Sequence, residues 1–142
     1  MIDTNELMRG NLLIVGKGTD WEQTCVIDEI MYNVVSLQGR EFTTYVSLLD
    51  PIPITEELLV KNGFEKKLLI DGNEKYDDWV EFEKDFDKFF LSLRHCSNSI
   101  ERDWYVHIDN DYRCGVGGMD VEYVHQLQNV CRVAGYELEI KV

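Results

Sequence analysis

The sequence predicts an α+β fold: a small SH3-like β-barrel over residues 1–54, then an α+β unit over 55–142 with an antiparallel sheet and a closing helix and strand. Three observations predict it. The N-terminal part holds short β-rich runs parted by tight turns. Pro51-Ile52-Pro53 enforces an extended break after them. The C-terminal part passes from a helical apolar period to a strict alternation.

Leu12–Val15 is continuously apolar, as in a strand covered on both sides. Residues 23–30 and 32–38 are rich in β-branched side chains. Gln38-Gly39-Arg40 supplies a turn, because glycine takes positive φ cheaply. Over 41–48, Phe42, Val46 and Leu48 alternate with Glu41, Thr43, Tyr45 and Ser47, a pattern that places Phe42 in the core. Strands this short bury a face by curling on themselves, hence the barrel expected for residues 6–54. Beyond Pro53, Thr55 is an N-cap ahead of Glu56 and Glu57, whose charge suits the positive helix end. Gly63 then stops this short helix.

Residues 76–94 support two readings. Trp79, Phe82, Phe86, Phe90 and Leu93 recur at helical spacing opposite Asp78, Glu81, Asp85, Lys88 and Ser92, and periodicity favours a helix. Alternatively Val80, Phe82 and Phe86, then Phe89, Leu91 and Leu93, line successive strands. Trp104, Val106 and Ile108 face one side of a strand and Tyr105, His107 and Asp109 the other. Asp120 caps a helix to about residue 133, with Val121, Val124, Leu127, Val130, Cys131 and Ala134 as its apolar stripe and Gly135 as its stop. Tyr136, Leu138, Ile140 and Val142 then alternate with Glu137, Glu139 and Lys141 in a final strand.

The chain has 142 residues, 44% hydrophobic and 29% charged, which suffices for a packed interior. Acidic residues outnumber basic ones 27 to 14, a net charge of −13 spread along the chain. Such a field repels phosphate backbones, so no direct nucleic-acid binding is expected, and a protein partner of basic character is. Solvation alone also accounts for an acidic surface. The N-terminus has no basic-then-apolar leader, and the longest aliphatic run, Leu12–Val15, is far too short for a membrane span. Cys25, Cys96, Cys114 and Cys131 are scattered like reduced thiols. These features lead us to expect a cytoplasmic protein without membrane contact.

Near-motifs fail on geometry. Gly16-Lys17-Gly18-Thr19 lacks the spacing and the hydroxyl position of a phosphate loop. Asp71-Gly72-Asn73 and Asp109-Asn110-Asp111 open like calcium loops and then lose the required ligands. Gly115-Val116-Gly117-Gly118 lacks the context of a dinucleotide fingerprint, so no cofactor is expected. Cys96, His107, Cys114, His125 and Cys131 form no paired half-site, so no metal is expected either. Cys114 with His107 or His125 as base and Asp109 as orienter would suit a small hydrolase or transferase. Against that, His107 and Asp109 are neighbours on a solvated strand face. His125 joins Gln128, Asn129 and Arg132 in a polar seam beside the helix stripe. The absence of a diagnostic spacing favours a non-enzymatic interaction protein. His107, Asp109, His125, Asn129 and Trp21 are its candidate binding residues, with Trp21 the exposed hydrophobe of a loop.

Glu6-Leu7-Met8-Arg9-Gly10-Asn11, Pro51 to Leu59 with Asn62-Gly63-Phe64, Trp104 to Asn110 and Tyr123-Val124-His125-Gln126-Leu127-Gln128-Asn129 occur in order across most of the chain. On these segments it resembles a family of small proteins of gut bacteria and their prophage-like elements, to which no activity or cofactor is assigned. The resemblance implies strands over 87–94 and 103–109 paired as a hairpin, and service to a mobile element.

Overall fold

The computed structural model describes residues 2–69, 79–96, 104–109 and 116–142, and it is α+β with mostly antiparallel sheet. The chain forms two compact units. One comprises Met1–Pro53, Tyr123–Asn129 and Val142; the other comprises Ile54–Glu122 and Val130–Lys141.

In the first unit, β1 (Leu12–Val15), β2 (Gln23–Met31), β3 (Val34–Leu37), β4 (Thr43–Tyr45) and β5 (Leu49–Asp50) pair in the order β4-β3-β2-β1-β5. Ile2, Leu7, Leu13, Val15, Ile27, Val35 and Leu37 are among the side chains that pack one face of this sheet. Each such burial contributes about 1.5–3 kcal/mol. A register shift between Ile27 and Glu29 bends β2. β4 and β5 stand at opposite edges and no described pairing joins them, so the expected barrel is not closed. A 3-10 turn over Val46–Leu48 also ends the expected alternation. It changes the period from two to three, burying Val46 and exposing Leu48. Phe42 is not core either, because the strand starts only at Thr43: it precedes β4, is exposed, and lies beneath the Arg40 guanidinium at 5.4 Å.

The second unit begins with α1 (Glu56–Lys61), where Thr55 Oγ1 accepts a hydrogen bond from the Leu58 N–H and Gly63 takes φ +79°. β6 (Glu65–Leu69), β7 (Trp79–Asp85), β8 (Phe90–Cys96), β9 (Trp104–Asp109) and β10 (Val116–Val121) follow as an antiparallel meander. Residues 76–78 lie outside the described residues, but from Trp79 on the stretch whose spacing favours a helix is a hairpin, and β8 pairs with β9 as well. A helical stripe would leave out Val80 and Leu91, whereas the strands bury both together with Phe82 and Leu93. Trp104 stands edge-on to Phe82 with ring centres 5.7 Å apart. Glu81, on the opposite face, is also buried, and Arg94 directly across the ladder donates to its carboxylate. Without that partner the buried charge would be strongly destabilising.

α2 (Val124–Val133) begins four residues after Asp120, which lies in β10 rather than capping the helix. Its start is fixed instead by Gln126, whose Oε1 accepts from the Tyr123 N–H as in one half of a capping box. The final segment buries Leu138 and Ile140 as the alternation requires, yet it forms no strand. Asn62 takes the place of a strand partner: its Nδ2 donates to the Lys141 carbonyl at 2.9 Å, and its Oδ1 accepts from the Lys141 N–H at 2.8 Å.

Candidate functional site

The register of the first sheet places Met31 opposite Val34 and Val34 opposite Tyr45. Residues directly opposite share a face, and the alternate position, Val35, is fully buried. Met31, Val34 and Tyr45 therefore make an apolar row on the outer face, beside a polar row of Glu29, Ser36 and Thr43. Met31 and Tyr45 are exposed. At the end of the row, Tyr32 and Asn33 form the two-residue turn between β2 and β3. Tyr32 is 96% exposed and has φ +56°. A β-turn position of this kind favours Gly, Asn or Asp, and a side chain with a full Cβ costs about 1–2 kcal/mol there. No packing offsets that cost.

Trp21, in the loop between β1 and β2, is also exposed, at 56%. Its ring lies against Gly16, which takes φ +71°, and a Cβ at that position would collide with the ring. Glycine thus holds the indole close to the backbone.

His125 and Asn129 are brought together, in a polar network of the first unit. Asn11 is fully buried; its Nδ2 donates to Asn129 Oδ1 at 2.8 Å and to the His125 carbonyl at 3.4 Å, and its Oδ1 accepts from the Met8 N–H. Gln128 Oε1 accepts from the Leu12 N–H at 2.9 Å, and Asn129 Nδ2 donates to the Glu6 carbonyl. The His125 ring is 1% exposed, stacks on Tyr123 at 5.9 Å, and has a Glu6 carboxylate oxygen 3.6 Å from Nε2. Neither ring nitrogen makes a hydrogen bond among the described residues. Burial pushes the imidazole below its ordinary value, and Glu6 opposes this to a lesser degree. The network ties the start of α2 to the N-terminal segment and keeps His125 away from solvent.

His107 and Asp109 lie two residues apart on β9 in the second unit, half-buried and exposed respectively. Cys114 lies outside the described residues, and Cys131 is buried with its thiol pushed up to about 12, so it is no nucleophile. Among the described residues no group of three or more His, Cys, Asp or Glu could hold a metal ion. One titratable cluster escaped sequence reasoning: Glu56 accepts from Lys66 at 2.7 Å and lies 3.2 Å from His95 Nε2. The Lys66 hydrogen bond holds the Glu56 carboxyl below its usual range, with slight burial opposing. Glu6, Asn11 and Met31 were likewise missed as site residues. A polar Asn between apolar neighbours was the one available hint. No helix among the described residues is long and apolar enough to cross a membrane. No family model, curated protein or solved structure matches the chain.

Proposed function

We propose that the protein is a non-enzymatic binding module that docks a basic protein segment on the outer face of its first sheet. Tyr32 carries this reading: a fully exposed aromatic stands in a left-handed turn where it weakens the fold and packs against nothing. The adjoining Met31–Val34–Tyr45 row supplies apolar area, and Glu29 on the same face supplies the complementary charge. The whole first unit has eight acidic residues against three basic ones, which suits a basic occupant. The strand order and the 3-10 turn before β5 support an SH3-like arrangement of this unit. A cytoplasmic setting, a role in a mobile element and no direct contact with nucleic acid complete the reading.

Cross-linked capture from lysate, followed by partner identification, tests it. Wild-type protein should retain a basic protein that raised salt releases. Tyr45→Lys should weaken retention about tenfold or more, since it removes an apolar anchor and sets a like charge against the basic partner. A partner retained equally by Tyr45→Lys, or one that is acidic, overturns the proposal.

A further inference from the structure

We propose that the second unit holds a site for a small phosphate ester with an apolar body, in a cleft independent of the docking face. The cleft is a half-open groove of about 570 Å³, and Lys61, Lys84, Lys141, Phe86, Glu137 and Glu139 contribute to its walls. The unit as a whole carries 19 acidic residues against 11 basic ones, yet three of its lysines converge here.

Lys84 is already positioned. Its ammonium donates to the Asn62 carbonyl at 2.6 Å and sits 4.7 Å from the centre of the Phe86 ring and 5.7 Å from that of Phe64. One of its three N–H groups is thereby committed and two are left for a ligand. Lys61 and Lys141 are exposed, and among the described residues no hydrogen bond or ion pair engages either ammonium. Of the two glutamates in the lining, Glu137 is held by Arg132 at 3.2 and 3.3 Å, which leaves Glu139 as the carboxylate to set against the three lysines. Three separate point charges suit a tetrahedral dianion. Carboxylate recognition favours the planar guanidinium fork, which the lining lacks. The edge of Phe86, whose two faces are taken by Phe89 and the Lys84 ammonium, and the bare backbone of Gly63 line the place left for the apolar body.

Titration of the full chain with phenyl phosphate, followed through the backbone amide signals of Asn62, Gly63 and Lys141, tests the site. Saturable shifts confined to those amides are expected, with inorganic phosphate binding several-fold more weakly for want of the ring. Lys61→Gln and Lys141→Gln should each weaken binding about 2- to 5-fold, as exposed ion pairs do. Lys84→Gln should weaken it more than about 10-fold. Lys17→Gln, in the first unit, should change nothing. If Lys84→Gln fails to fold, the two exposed lysines still decide the matter. Absence of saturable shifts, or unchanged affinity in both Lys61→Gln and Lys141→Gln, overturns the proposal.

Discussion

Each unit closes one hairpin with a non-glycine residue in the left-handed region: Tyr32 at φ +56° between β2 and β3, and Asp87 at φ +62° between β7 and β8. The backbone cost is alike, but its compensation is not. Asp belongs to the types that tolerate this conformation, and the Asp87 N–H donates to the Asp85 carboxylate at 2.9 Å. Further bonds from Phe86 N–H to the Phe89 carbonyl and from Lys88 N–H to the Phe86 carbonyl knit that turn together. Tyr32 presents its ring to solvent instead. A turn strained for the fold's sake is repaired locally. One that is left unrepaired points outward, to whatever covers it.

The strongest test of this contrast compares apolar residues of the two sheets. Phe82→Ala in the second sheet should cost about 3–5 kcal/mol by urea denaturation, because it empties a fully buried site. Tyr45→Ala on the outer face of the first sheet should stay within about 0.5 kcal/mol. A comparable loss at both would make the outer row part of the fold and remove its claim to binding. Next, Asp85→Ala should cost about 1 kcal/mol, since it deletes the acceptor that repairs the Asp87 turn.

Tyr32→Asn should run the other way, gaining about 0.5–1 kcal/mol of stability while weakening partner retention. Asp87→Asn should leave stability nearly unchanged. A destabilised Tyr32→Asn would show that the ring packs after all.

The smallest effect concerns pH. Folded His125 resists protonation, so below the ordinary imidazole value of 6.5 the unfolded chain binds a proton that the native chain refuses. Stability is therefore full above that value and falls as pH drops through it. Glu6 offsets part of the effect. Urea midpoints at about pH 7.5 and about pH 5.5 should converge in His125→Asn relative to wild type. An equal pH response in both proteins would locate the proton elsewhere.

Much of the local structure was legible. The α1 boundaries follow from Thr55 and Gly63, and β9 from the alternation of Trp104, Val106 and Ile108, because these signals act over a few residues. The β7–β8 hairpin was hidden because its aromatics fall by chance at helical spacing, and only pairing between strands decides which of the two periods is used. Leu48 was misplaced because a 3-10 turn broke the alternation without a glycine or proline to announce it, and Phe42 because the strand starts only at Thr43. The candidate surface was legible only at Tyr45, which the alternation sets opposite the core side of its strand. Tyr32 owes its meaning to a φ angle that composition does not encode. The polar network depends on hydrogen bonds spanning more than a hundred residues, such as Asn11 to Asn129, and no sequence window reaches so far.

Asn62 meets both backbone groups of Lys141 with one side-chain amide, and so serves as a strand of a single residue. A ladder spreads such bonds over several residues, while at Lys141 both come from one side chain. Solvent exchange of the Lys141 amide proton should accordingly track the state of position 62 alone. The hold on Lys141 can be read, and loosened, at one side chain.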